Sequence, residues 1–505
     1  MKKIYCNANF FSMENEHNVY DTVLCENGLI VDVLNRGNIF EFDSSFEIID
    51  LQGLYVFPGF IDAHTHSFEG GLYQNGIDLS FCNSISDILN CLSESKPFND
   101  LVFAWKFDEN NIKEKRFPTK AELNKANDKI PILLRRIDGH SCVVNDAAVK
   151  LFGIADIISE DGLLKGVLND FITHYFHKKL DLQAIVECYK TAETIALKNG
   201  HTGIHTMIGD SKNDYLHFAL LNTKLDEFLI DFYLYPQCFN IDGLLKAFLP
   251  LPYSLSPRII GGCILADGSF GSYTAAISKP YSKKKCYGKL YQTQEFWNDF
   301  VCKAQENDFQ VGVHCIGDRA IEQILNALEH SFQKKKKTIE LRHQIIHCEL
   351  VRDDMIENLM KCGVYAVMQP MFDSLWGGEE GFYAKALGVK RAKLLNRFKT
   401  LTDRGVTVVG SSDWYVTDLS AIKGINAAIN HHNTMERLSN FEAIKLYTVN
   451  PPKLTHDENR KGLIKKGYVA DFVCLDKNIM LEKNIEDTKV CYTIKNGNIV
   501  YKNNI

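Results

Sequence analysis

The chain has 505 residues, 45% of them hydrophobic and 24% charged, with a net charge of -6. So much apolar material excludes a mainly disordered chain, and the length exceeds what one hydrophobic core commonly organises, so a large domain with a smaller companion is expected. The acidic balance argues against a nucleic-acid partner, no apolar run reaches the roughly 18 residues of a membrane span, and 15 cysteines without a CxxC pair fit reduced thiols in the cytoplasm.

The stretch up to about Tyr55 reads as short strands and turns. Ile4-Tyr5, Asp21 to Leu24 and Leu29 to Val33 carry β-branched and apolar residues, and Glu26-Asn27-Gly28 and Arg36-Gly37-Asn38 are turn signals. No apolar leader follows the two N-terminal lysines, so export is not expected. In the middle of the chain short apolar runs alternate with longer amphipathic ones. The short runs are Tyr55 to Phe57, Gly203 to His205, Ile260 to Leu265, Gln310 to His314, Gln344 to His347, Val364 to Met368 and Val406 to Gly410. Ala320 to Glu329 and Arg352 to Cys362 read as helices between them. This alternation predicts a parallel sheet or barrel. Lys334 to Lys337 reads as a solvated loop. The last stretch returns to strand texture at Tyr468 to Asp476, Val490 to Ile494 and Ile499 to Tyr501, so both chain ends are expected to build one small β domain.

Polar residues collect where the apolar runs stop. His64 and His66 follow Pro58-Gly59-Phe60-Ile61-Asp62-Ala63. Residues i and i+2 of a strand face the same side, so both imidazoles can hold one ion. His314, His347 and Asp413 each lie at the end of a further run, and strand C-termini are where barrel active sites form. A buried carboxylate beside four histidines needs a positive partner, which a metal ion supplies.

The motifs PGFIDAHTH, GVHCIGDRA, IIHCE and GSSDW resemble the ordered motifs of the amidohydrolase superfamily. LRRIDGHSCVVNDAA, ADGSFGSYTAA and HCIGDRAIEQILNALE are similar to its branch containing N-substituted formamide deformylase. The resemblance runs from about Gly53 to Asp476. It implies a distorted (β/α)8 TIM barrel over residues 56–455 and a small β-sandwich of residues 1–55 with 456–505. It also implies an insertion after the first barrel strand, at about 70–200.

The resemblance further implies a divalent metal, zinc foremost with manganese or iron as alternatives, in one or two positions. His64, His66, His314 and His347 would be ligands, and Asp413 ligand and general base. Relatives usually place a bridging lysine four residues before the Asp-Gly of their DGS motif. Here that residue is Cys263, read either as a thiolate replacing the bridge or as packing beside a single ion. His140 and Asn145 form a second group in the insertion that the resemblance associates with the substrate; it implies a place near the pocket and a catalytic role for His140, which otherwise reads as a turn histidine. Asp267, Tyr273 and Trp414 are substrate-binding candidates, although Asp267 serves equally well as a helix cap. Aromatic residues near strand ends, Trp376, Trp414 and Tyr415, suit an apolar or aromatic substrate group.

The implied activity is hydrolysis of a non-peptide amide or formamide C–N bond in a small molecule. A deaminase, an ester or lactone hydrolase, and an inactive binding paralogue are the alternatives. Relatives often form homodimers, and no nucleic-acid or membrane partner is expected.

Overall fold

The computed structural model describes residues 2–35, 45–109, 111–136, 141–165, 167–211, 216–248, 258–334 and 338–503. The chain divides into two compact units, Met1–His66 with Glu193–Ile505, and Ser67–Ala192.

In the first unit both chain ends supply strands. Lys2–Cys6, Thr22–Glu26, Leu29–Leu34 and Glu47–Asp50 form a four-stranded sheet. A six-stranded sheet combines Asn9–Phe11, Val19–Tyr20 and Tyr55–Pro58 with Phe472–Leu475, Val490–Lys495 and Asn498–Lys502. Side chains alternate across a strand, so one face of each sheet is apolar. Tyr5, Val23 and Ile30 of the first sheet share a core with Phe10, Val56, Phe472, Cys474 and Ile494 of the second. The run Tyr55 to Phe57, grouped with the middle of the chain on its apolar character, belongs instead to this sandwich, antiparallel to Phe472–Leu475.

Among the described residues the rest of the first unit contains eight parallel strands: β1 Phe60–Thr65, β2 His201–Ser211, β3 Asp231–Cys238, β4 Arg258–Leu265, β5 Phe309–Cys315, β6 Gln344–His347, β7 Tyr365–Met368 and β8 Thr407–Gly410. Helices such as Asp318–Lys334 after β5 and Asp353–Lys361 after β6 make the class α/β. β1 to β3 pair as one parallel ladder with β2 central, and β4 to β8 as a second in chain order. β3 lies beside β4, and β8 beside β1. An isolated parallel bridge joins Thr65 to Trp414. Among the described residues the hydrogen-bonded ladder therefore does not close into a single sheet. No helix among them is long and apolar enough to cross a membrane.

A buried ion network ties the parallel strands to the sandwich. Lys495 Nζ donates to Asp231 Oδ2 at the start of β3 and to Asp471 Oδ2, both at 2.7 Å. Lys461 donates to the same oxygen of Asp231 at 2.7 Å and to the Tyr233 hydroxyl at 2.9 Å. Lys495 is 5% exposed and Asp471 9%. Removing one partner of a buried pair leaves an uncompensated charge, which costs about 3–5 kcal/mol. Lys495→Met is therefore expected to lower the urea midpoint by an amount equivalent to about 3–5 kcal/mol without changing the metal centre.

The second unit has its own five-stranded sheet, in the order Leu163–Lys165, Ser141–Val144, Ile132–Arg136, Val102–Phe107 and Ile77–Asp78. Its core includes Ile88, Leu92, Val102, Phe107, Leu123 and Val143. His140 and the turn residues Arg36, Gly37 and Asn38 lie outside the described residues, as do residues 335–337 of the lysine run.

Candidate metal centre

Every implied metal ligand lies in the first unit, at the C-terminal end of a parallel strand or just beyond it. β1 delivers His64 and, one residue past its end, His66; their rings stand 5.3 Å apart. β5 delivers His314 and β6 His347, with ring centroids 4.5 Å apart. His64 and His347 rings are 5.4 Å apart, so the four imidazoles form one cluster. Asp413 follows β8. Its Oδ1 lies 3.2 Å from Nε2 of His64 and 3.3 Å from Nε2 of His66.

His347 and Asp413 both have left-handed backbones, with φ of 67° and 56°. Such angles are uncommon for residues with a Cβ and turn the side chain away from the direction the strand alone would give. Hydrogen bonds hold the loop in place. The backbone N–H of Asp413 donates to the His64 carbonyl at 3.0 Å, and that of His66 to the Trp414 carbonyl at 2.5 Å. Asp62 Oδ1 accepts the N–H groups of His64 and Ser412 at 3.1 and 3.2 Å. Asp62 is a positioning residue that sequence reasoning missed. Its only signal was a carboxylate inside an apolar strand.

Cys263 reaches the cluster through a bulge. Register against β5 shifts between Gly261 and Ile264, and Gly261 and Gly262 have φ of 92° and 93°. A Cβ on Gly261 would lie 2.3 Å from the Gly312 carbonyl oxygen, and one on Gly262 2.2 Å from Met207 Sδ. Only glycine fits both demands. The bulge sets Cys263 Sγ 3.9 Å from Nδ1 of His314. Nε2 of His314 lies 3.2 Å from the Gly268 carbonyl and, as the donor there, leaves Nδ1 facing the sulfur.

A similar device orients His347. Gln369 Nε2 donates to Ser411 Oγ at 2.9 Å, so its Oε1 accepts Nδ1–H of His347 at 2.8 Å and leaves Nε2 for a ligand. Outer partners of this kind are worth about 10–100-fold in metal affinity. Gln369→Leu is expected to weaken zinc binding by about that factor, measured by competition with a chromogenic chelator.

Charge in the cluster is shared among these groups. Burial opposes ionisation of Asp413, yet His64 and His66 hold its carboxyl far below the usual range. Burial likewise opposes a Cys263 thiolate, but the surrounding histidines, His314 first, hold its thiol well below normal. Burial would lower His314, and Cys263 instead lifts it to about 9. Burial keeps His347 low, and the neighbouring His314 charge adds to that. Burial lifts Asp62 to about 7 and Glu349 to about 7; the Tyr383 hydroxyl donates to Glu349 at 2.6 Å. A carboxylate and a thiolate are thus set among imidazoles, where they attract positive charge.

The donor set fits a divalent cation. His64 is fully buried, and neither of its ring nitrogens has a hydrogen-bond partner; Asp413 Oδ1 has none either. Leaving such atoms unsatisfied costs about 1–3 kcal/mol each, which coordination would offset. Three overlapping groups bring potential ligand atoms within 4.8 Å of one another: His64, His66 and Cys263; Cys263, His314 and His347; and His64, His347 and Asp413.

Residues 47–501 match the model of the Amidohydrolase family. The chain belongs to that family, and so to the hydrolases. It is 28% identical to YtcJ of Bacillus subtilis (strain 168), an amidohydrolase by name, over 99% of this chain and 100% of that one. It is 21% identical to the N-substituted formamide deformylase of Arthrobacter pascens, over 86% of this chain and 85% of that one. A metal-dependent hydrolase from Pyrococcus furiosus shares the fold, with a TM-score of 0.81 and 23% identity over 95% of this chain and 100% of that one.

Of the remaining residues read from the amidohydrolase motifs, Asp267, Tyr273 and Trp414 lie in the first unit and Asn145 in the second. Asp267 is fully buried, and its two oxygens accept backbone N–H groups of Ile316, Gly317 and Ala276 at 2.8–3.0 Å. That arrangement anchors the loop after β5, and Oδ1 lies 3.8 Å from Nε2 of the neighbouring His314. The Tyr273 ring packs edge-on against Tyr281, 5.1 Å between centroids, with Lys284 Nζ 4.0 Å from its centre. Trp414 is 5% exposed and holds His66 through its main chain. In the second unit, Asn145 caps the helix Asp146–Phe152. Its Oδ1 accepts from Ile132 and Ala148, and its Nδ2 donates to the carbonyls of Asn127 and Ile130. All four of its hydrogen-bonding positions are used within that unit.

Proposed function

We propose that this chain is a metal-dependent hydrolase of a non-peptide amide or formamide C–N bond, working in a reducing, cytoplasmic setting on a small molecule. The observation that carries the reading is the convergence of four imidazoles, a thiol and a carboxylate from strand ends up to 349 positions apart in sequence, around buried atoms that lack hydrogen-bond partners. We read the eight parallel strands as the wall of a distorted (β/α)8 barrel. Its C-terminal rim would then be the active face.

His64, His66, His314, His347 and Asp413 would hold the metal. Nitrogen donors with a thiol suit zinc-class ions, with manganese or iron as alternatives. When bound, such an ion supplies Lewis acidity that brings water ionisation to a pKa of about 7 and polarises a carbonyl. The protein's own part falls mainly to Asp413. Its Oδ1 faces His64 and His66, so Oδ2 is left to accept the proton of the attacking water. The same carboxylate then returns that proton to the leaving nitrogen, which otherwise departs poorly as an anion. Asp62 and the Trp414 carbonyl keep His64, His66 and Asp413 in register during the exchange.

Beside the cluster, Phe372 stacks on His347 with centroids 5.9 Å apart, Trp376 lies 4.6 Å from Phe372, and Tyr383 lies 6.1 Å from Trp376. This aromatic series favours a substrate with an apolar or aromatic substituent on nitrogen. The test is a screen of N-formyl and N-acyl amines with the zinc- or manganese-loaded protein, following free amine. Saturable amine release supports the proposal. Ammonia release from heterocycles with no amine released would replace it with deamination.

A further inference from the structure

We infer that Cys263 is a thiolate ligand shared by two metal positions, so that a cysteine sulfur, not a modified lysine, joins the two halves of the centre. The inference rests on the metal-dependent reading above. Cys263 is the one member common to the pair His64 and His66 and the pair His314 and His347; each pair forms with it a group whose ligand atoms lie within 4.8 Å of one another. Two donors on one tetrahedral zinc, one sulfur and one nitrogen, stand about 3.5 Å apart, so each triad needs to contract only modestly. Asp413 completes the first position, with Oδ1 3.2 and 3.3 Å from the Nε2 atoms of His64 and His66. Six donors exceed the four of a tetrahedral ion, and among the described residues no single group of donors includes both His66 and His314.

The local backbone is arranged to present the sulfur. The Gly261-Gly262 bulge adopts two consecutive left-handed conformations closed to any other residue by the Gly312 carbonyl and Met207. A cysteine placed only to fill core space would need no such bulge in β4, since the strand's ordinary alternation already buries Ile260 and Ile264. The neighbouring ring nitrogens are oriented accordingly. His314 uses Nε2 on the Gly268 carbonyl and turns Nδ1 to the sulfur, and His347 uses Nδ1 on Gln369 and leaves Nε2 to the centre. Cys315 and Cys348, next in sequence to two ligands, are fully buried and belong to none of the donor groups.

X-ray absorption of the zinc-loaded protein, with elemental analysis, tests the assignment without reference to turnover. The expected result is two zinc ions per chain, a zinc–sulfur shell near about 2.3 Å and a zinc–zinc vector at roughly 3.5–4 Å. Cys263→Ala is expected to lose the sulfur shell and at least one ion. Shells of nitrogen and oxygen alone in the unaltered protein, a single bound zinc, or two ions retained by Cys263→Ala would each overturn the shared thiolate. Because the unaltered protein gives the decisive spectrum, a variant that fails to fold does not weaken the test. Hydrolysis of formamides by a sulfur-free centre would leave the proposed function standing and remove only this inference. A sulfur-bridged pair in a protein that hydrolyses none of the amides would do the reverse.

Discussion

Stripping the protein with a chelator is expected to abolish hydrolysis, and zinc or manganese is expected to restore it. The centre brings together His64, His66, His314, His347 and Asp413, with Cys263 beside them. Without an ion, water in the cleft keeps its bulk pKa of about 15.7 in place of about 7, so the nucleophile is almost absent at neutral pH. Asp413 alone, as a general base, is worth about 10²–10⁴-fold, against overall accelerations of about 10⁶ or more for enzymes. The stripped protein should therefore retain at most a small fraction of a per cent of the activity. Stability should follow the same ligand: at a free ion concentration about 1,000 times Kd, binding adds about 4.1 kcal/mol to the folded state. Amine release and a thermal melt on one chelator-treated sample check both statements. Full activity in the stripped protein would contradict them.

Asp413→Asn is expected to lower kcat by about 10²–10⁴-fold while the protein keeps much of its metal. The amide is isosteric, so the loop held by the Asp413 N–H to the His64 carbonyl should persist. Four histidines also remain to hold the ion. What is lost is the group that carries a proton from water to the leaving nitrogen. Because proton transfer is completed only in the transition state, kcat and kcat/KM should fall together. Metal analysis of the variant alongside its kinetics separates this effect from simple loss of the ion. Turnover near that of the unaltered protein would remove Asp413 from the role.

Most of the centre is legible in the sequence because strand ends leave a local mark. His64 and His66 share a face by spacing alone, and His314, His347 and Asp413 each terminate or follow an apolar run that the structure shows as β5, β6 and β8. The helix expected at Ala320 to Glu329 extends to Asp318–Lys334 and that at Arg352 to Cys362 contracts to Asp353–Lys361, which moves no candidate ligand. Groups that act across the fold leave no such mark. The Gln369 amide holding His347 comes from the residue just past the neighbouring strand, and Asp62 staples two segments 350 positions apart.

Local patterns also carry more than one meaning. Asn145 and Asp267 stand in motifs that suggested a pocket, and in the structure both use their side chains to satisfy backbone amides. A polar residue beside a helix or loop start serves that purpose as readily as it serves a ligand. Tyr55 to Phe57 is apolar enough for a central strand, and only pairing with Phe472–Leu475 assigns it to the sandwich. The Gly261-Gly262 pair shows the same limit. Its bulge depends on Gly312 and Met207, which the chain brings close only on folding.

Elemental analysis of protein purified without chelators, followed by titration with zinc and manganese, tests the convergence of these side chains on a cation most directly. At least one tightly held divalent ion per chain, lost when His64 and His347 are both replaced by alanine, is the predicted result. Protein that carries no ion and takes up none on titration would contradict the account.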